Sequence, residues 1–101
     1  MGLLSGLFGP KIDIQELMER DALIVDVRSP GEFSGGHIQG SRNIPLGQIR
    51  DRVERFRKMD KPVILCCASG NRSGQATRIL KAEGIEAYNG GGWRSLAGRL
   101  R

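Results

Sequence analysis

The sequence predicts an α/β fold, a small and mostly parallel sheet with helices on both faces. Two observations carry that expectation. Short apolar runs of strand length alternate with segments whose apolar residues recur three and four positions apart, the pattern of strands laid against amphipathic helices. The chain is 101 residues long, 39% hydrophobic and 27% charged, which suits one compact domain with one modest core. No internal repeat or low-complexity linker interrupts the alternation.

The elements follow in order. Residues 1–10, `MGLLSGLFGP`, read as an apolar arm folding over a single domain of residues 11–101. The arm has no positively charged leader and no small-residue cleavage pattern, and Gly6 stands where a myristoylation signal needs Ser or Thr. Asp13 and Glu16 have capping-box spacing, and Ile14, Leu17 and Met18 share a face, so a short helix is predicted to about Arg20. `ALIVDV`, residues 22–27, is too short for a helix and suits a strand buried on both faces. Ser29 then caps a turn of helix with Pro30 at its first position, stopped by Gly35 and Gly36. `RNIPL` predicts a second strand ended by Pro45, and Leu46, Ile49, Val53 and Phe56 predict an amphipathic helix. `PVILC` is the third strand, and Ala76, Ile79 and Leu80 mark the buried stripe of the next helix. Gly84 ends that helix, `IEAY` supplies a fourth strand, and `NGGGWRSL` reads as a glycine-rich turn into a last short helix.

Charge and composition narrow the partners. The net charge of +5 is uneven: residues 1–50 carry five Lys/Arg against six Asp/Glu, and residues 51–101 carry eleven against five. The basic half favours an anionic substrate or an acidic partner. The basic residues are interleaved with acids and lack an aromatic platform, so no nucleic acid is expected. No apolar run approaches the roughly 20 residues a membrane span requires. Cys66 and Cys67 are neighbours on one strand and so point to opposite faces, which suggests free thiols in a reducing, cytoplasmic setting rather than a disulfide framework. With one histidine, His37, far away in sequence, they make no metal site.

Ligands of open parallel sheets gather beyond the carboxyl ends of the strands, where residues 67–72 fall. There Cys67, Ala68, Ser69, Gly70, Asn71, Arg72 and Ser73 lead from the third strand into a helix. Such a loop gathers backbone N–H groups at a helix N-terminus and forms an anion cradle, which lowers the pKa of a thiol below its usual value of about 8.5. Cys67 is the candidate nucleophile, residues Ala68 to Ser73 the candidate substrate cradle, and Arg72 a fixed positive charge beside it. Cys66 reads as a buried apolar residue. Counted from Cys66, however, the stretch has the Cys, five residues, Arg spacing of cysteine-dependent phosphatases and some arsenate reductases, and that alternative stays open.

The glycine position favours the count from Cys67, because `CASGNRS` resembles the active-site loop of the rhodanese family, C-x-x-G-x-R-S. `LIVDVRSPGEFSGGHIQGSRNIPL`, residues 23–46, resembles the first signature of the same family, and `YNGGGWRSL` its closing segment. The three ordered matches span about residues 12–98. The resemblance implies a rhodanese-like fold and a sulfurtransferase that needs no cofactor. It would pass a sulfur atom from a small anionic donor such as thiosulfate through a Cys67 persulfide to cyanide or a thiol, including a protein thiol. It further implies structural support from Asp26, Arg28, His37 and Trp93, and a loop sized for one sulfur rather than a phosphoryl group. One departure is Ala68, where many members place a cation. A non-catalytic, partner-binding module is the rival from another class, though such modules commonly lose the cysteine.

Overall fold

The computed structural model describes residues 12–101. The apolar arm expected at residues 1–10 lies outside them.

Four parallel strands, β1 (Leu23–Asp26), β2 (Arg42–Asn43), β3 (Val63–Cys67) and β4 (Ala87–Gly92), form one sheet in the order β2-β1-β3-β4. Among the described residues five α-helices surround it: α1 (Ile14–Glu19), α2 (Pro30–Ser34), α3 (Val53–Met59), α4 (Asn71–Ala82) and α5 (Trp93–Arg99). Alternation along β3 sorts its side chains between two cores. Val63, Leu65 and Cys67 join Val25, Phe56, Ala76 and Leu80 on the α3/α4 face. Ile64 and Cys66 join Ile14, Leu17, Ile24 and Leu96 on the α1/α5 face. The chain leaves β1 for β2 on one side and returns to β3 on the other, so a crevice opens beyond the ends of β1 and β3.

Local chemistry sets the helix ends. The Asp13 carboxylate accepts from the Glu16 N–H at 3.1 Å, and Ser29 and Glu32 form a reciprocal capping box around Pro30. At the far end of α4, Gly84 adopts φ +79°, the Gly84 N–H donates to Lys81 and the Ile85 N–H to Leu80. These bonds satisfy carbonyls that the helix leaves open and bury Ile85, at 7% exposed.

Three elements differ from the sequence expectation. The second strand shrinks to Arg42–Asn43, because Pro45 cannot donate to a ladder, although the N–H groups of Ile44 and Leu46 still bond to the carbonyls of Asp26 and Val27. The helix expected from Leu46 begins as two 3-10 turns, Leu46–Gln48 and Arg50–Arg52, and becomes α-helical only at Val53. The three-residue step from Leu46 to Ile49 satisfies a 3-10 turn as well as an α-helix. The fourth strand starts two residues late and runs through the expected glycine turn to Gly92. Its register slips between Leu65 and Cys66, which pair with Asn89 and Gly91, leaving Gly90 as the extra residue of a bulge. Glycine is required there by space: a Cβ on Gly90 would stand 2.9 Å from Ile64 Cγ2, 2.9 Å from Leu96 Cδ2 and 3.1 Å from the Leu65 carbonyl oxygen.

Under the end of β1, Asp26 is 0% and Arg28 5% exposed. Arg28 donates Nε to Asp26 Oδ1 at 2.9 Å and Nη2 to Oδ2 at 2.7 Å. Its remaining donors reach the carbonyls of Glu32 at 3.3 Å and Gly36 at 2.7 Å, tying α2 and the following turn to the strand. Asn43 completes the lattice, its amide donating to the carbonyls of Asp26 and Arg28. A buried pair with each guanidinium nitrogen bonded is costly to break from one side.

Two measurements check this account. Gly90→Ala should lose about 1–3 kcal/mol in urea unfolding, because neither Ile64 nor Leu96 has room to retreat. Asp26→Ala, which strands the Arg28 charge, should lose about 3–5 kcal/mol, and a loss below that of Gly90→Ala would show the pair to be dispensable.

Candidate active site

The loop of residues 68–70 joins the end of β3 to α4, and Gly70 makes the turn possible. Its φ is +101°, in the region that favours glycine, and a Cβ there would lie 3.3 Å from the Gly91 Cα. The backbone thereby curls over the Cys67 sulfur. The Gly70 N–H donates to Cys67 Sγ at 3.0 Å and the Ser73 N–H at 3.4 Å, with Ser73 Oγ also 3.4 Å from the sulfur.

These contacts decide the protonation of Cys67. Burial pushes its thiol up, but hydrogen bonds from the Ser73 hydroxyl and from the N–H groups of Ser73, Gly70 and Ser69 outweigh burial and bring it down to about 7. At Cys66 burial goes unopposed by such donors and, with the nearby Asp26 charge, pushes the thiol up to about 12. Its side chain lies on the opposite face, packed in the core with Ile24, Ile38, Ile64 and Leu96. The loop is therefore built around Cys67.

Ser73 connects the sulfur to a residue that sequence reasoning passed over. Its hydroxyl lies 2.7 Å from Asn89 Oδ1 and has one proton for two acceptors, the amide oxygen and the sulfur. With Cys67 protonated, the hydroxyl can donate to Asn89 and accept from the thiol; with Cys67 ionised, rotating the hydroxyl proton toward sulfur stabilises the charge. Asn89 Oδ1 keeps the Gly91 N–H at 3.0 Å in either case, and Asn89 Nδ2 donates to the Gly70 carbonyl at 3.0 Å. Asn89 thus ties the bulge of β4 to the loop. Its signal in the sequence was the Asn-Gly pair at residues 89 and 90, since the bond to Gly91 is an Asx turn.

The other expected site residues divide sharply. Ala68, Ser69 and Asn71 are exposed, and of the three it is Ser69 whose N–H acts on the sulfur. Arg72 lies within reach of the Cys67 charge, and its strongest contact is with a carboxylate. Its guanidinium forms a two-point bond with Glu32 at 2.8 and 3.0 Å, while Glu32 also accepts from the Ser29 N–H. The Arg72 contact, followed by that from Ser29, holds the Glu32 carboxyl at about 2. The pair clips α2 to the start of α4. His37 stacks on Phe33, ring centroids 3.7 Å apart, and its Nδ1 lies 2.7 Å from the Phe33 carbonyl. That oxygen can only accept, so Nδ1 carries a proton and the ring braces the turn. Trp93 packs on the α1/α5 core with the Arg28 guanidinium 4.8 Å from its ring. Among the described residues no three His, Cys, Asp or Glu side chains gather as a metal site, and no helix is long and apolar enough to cross a membrane.

Known proteins resemble this chain in sequence and fold. The family model of the Rhodanese-like domain matches residues 12–97. The chain is 46% identical over 84 residues to the uncharacterized protein YqhL of Bacillus subtilis (strain 168), a match covering 81% of this chain and 66% of that protein. It is 37% identical over 76 residues to the thiosulfate sulfurtransferase GlpE of Ectopseudomonas mendocina (strain ymp), covering 74% and 69%. The chain thus spans about two thirds of the length of these relatives. Among solved structures, a rhodanese with anions from E. coli superposes with a TM-score of 0.68 at 33% identity, covering 73% of this chain and 89% of the other. A rhodanese-related protein from Thermoplasma volcanium gives 0.70 at 32% identity, covering 86% of each. The strand order, the closed loop around Cys67 and these likenesses agree, and the chain belongs to the family of rhodanese-like domains.

Proposed function

We propose that the protein is a cytoplasmic sulfurtransferase in which Cys67 carries a sulfane sulfur. The observation that carries the reading is the convergence of the Gly70 and Ser73 N–H groups and the Ser73 hydroxyl on one sulfur whose thiol is brought down to about 7. Its likeness to a thiosulfate sulfurtransferase supports the same chemistry.

In the proposed reaction the Cys67 thiolate attacks the outer sulfur of a donor such as thiosulfate. The new S–S bond forms as the donor's S–S bond breaks, and sulfite leaves with the electron pair of the broken bond. The negative charge now rests on the outer sulfur of a Cys67 persulfide, held by the loop dipoles. Cyanide or a thiolate, free or on a protein, attacks that sulfur and restores the Cys67 thiolate. No metal or organic cofactor enters either step. Burial of the nucleophile fits a carrier role: Cys67 is 1% exposed, and a persulfide extends the reactive sulfur outward by one bond of about 2 Å. Two free cysteines also suit the reducing cytoplasm.

The alternative reading, hydrolysis of a phosphate or reduction of arsenate by Cys66, would need a thiolate from a buried group pushed up to about 12 and facing away from the loop.

Two predictions test the proposal. Because the Cys67 thiol is lowered, reactivity should be lost as pH falls: alkylation by iodoacetamide should be half-maximal near pH 7 and fall to roughly a tenth of its plateau one pH unit lower. Ser73→Ala should move that midpoint upward, and a midpoint at the value of a free cysteine in the unaltered protein would remove the basis for the nucleophile. The second prediction separates the cysteines. Mass spectrometry after thiosulfate should find one added, reductant-labile sulfur on the protein and on Cys66→Ser, with thiosulfate:cyanide transfer kept by both. Cys67→Ser should have neither, since a serine hydroxyl is scarcely ionised at neutral pH and forms no persulfide. A Cys66→Ser protein that folds but is inactive, beside an active Cys67→Ser, would reverse the assignment.

A further inference from the structure

A dianionic donor needs positive charge at the mouth of the loop, and the two arginines best placed by sequence are already committed. Arg72 is bound at two points to Glu32, and Arg28 is sealed against Asp26. Ala68, the residue after the nucleophile, brings no charge. The wall of the loop is instead formed by the end of β4. A Cβ on Gly92 would lie 2.9 Å from the Ala68 carbonyl oxygen and 4.0 Å from the Ser69 Cα, and Gly91 abuts Gly70. The next two residues are Trp93 and Arg94. Arg94 is exposed, its guanidinium stands 4.8 Å from the centre of the Trp93 ring, and among the described residues it forms no ion pair with a carboxylate. Stacking on the indole limits the conformations of a long cationic side chain that begins two residues beyond Gly92, and no ion pair among the described residues neutralises it.

We infer that Arg94 is the donor-recruiting cation of this site, the residue that draws the charged end of an anionic sulfur donor to the mouth of the Cys67 loop. The inference rests on the sulfurtransferase reading for its natural donor but concerns recruitment of anions, which can be measured without sulfur transfer. The charge of Arg94 offers what the uncharged Ala68 lacks, and it acts on the departing sulfonate rather than on the transferred sulfur. It therefore belongs to binding: its effect falls on KM for thiosulfate more than on kcat.

The test compares alkylation of Cys67 by two reagents of one size, neutral iodoacetamide and anionic iodoacetate, in the full chain at low ionic strength. Both form a C–S bond with loss of iodide, so their rate ratio reports the potential at the loop independently of the thiolate fraction. Arg94→Ala should lower the iodoacetate:iodoacetamide ratio about threefold and raise KM for thiosulfate about threefold to tenfold, with kcat within about twofold. Arg94→Lys should recover most of the ratio, a recovery that a merely packing role for the side chain would not give. An Arg94→Ala ratio equal to that of the unaltered protein overturns the inference, whatever happens to transfer. An Arg94-dependent ratio in a protein that transfers no sulfur from thiosulfate would leave Arg94 as an anion-recruiting residue and overturn the sulfurtransferase reading instead.

Discussion

A guanidinium sealed beneath the end of β1 organises this molecule. Arg28 cannot lose its charge and has almost no access to water, so each of its three guanidinium nitrogens must find oxygens inside the protein. It finds them on Asp26, on the carbonyls of Glu32 and Gly36, and it lies against Trp93. Strand β1, helix α2, the turn after it and the start of α5 are thereby held to one point. Pairs of this kind add little net stability compared with apolar packing of equal volume, but they tolerate few alternative geometries. The crevice over the sheet has fixed walls for that reason.

The Cys67 loop is attached to this frame from both sides. Glu32, whose backbone carbonyl accepts from Arg28, turns its carboxylate to Arg72 and anchors the first turn of α4. On the other side the bulge in β4 brings Gly91 against Gly70, and Asn89 bonds to both the Gly70 carbonyl and Ser73. The N–H groups that face the sulfur are thus pre-aimed by contacts outside the loop. Fixed dipoles need no reorganisation when charge appears on sulfur, and in the proposed reaction they serve both the thiolate and the persulfide. In the proposed reaction, recruitment of the donor is a separate matter, assigned to exposed charge rather than to the loop.

Much of this was legible in the residues. Strand and helix order followed from apolar periodicity, because each element has a face that must be buried. The assignment of Cys66 and Cys67 to opposite faces followed from the two-residue period of a strand. The anion cradle followed from a strand, a glycine and a helix start in succession. The ion pair of Arg72 was not legible, because sequence records a charge but not its partner: Glu32 is forty positions away and no local pattern links the two. Asn89 escaped notice for a similar reason, since its role exists only once the end of β4 lies beside the loop.

The sequence by itself determined the alternation of elements, the caps, the opposite faces of the two cysteines and the family, because these depend on neighbours a few residues apart or on ordered motifs. Only the tertiary structure decided where β4 begins and ends, which cations are neutralised and which groups touch the sulfur. A glycine run is compatible with a turn or with a strand, and packing against Ile64, Leu96 and the loop backbone selects the bulged strand. Charges and hydrogen-bond donors likewise acquire a function only from the partner that folding brings within about 3 Å, and no local pattern encodes that distance.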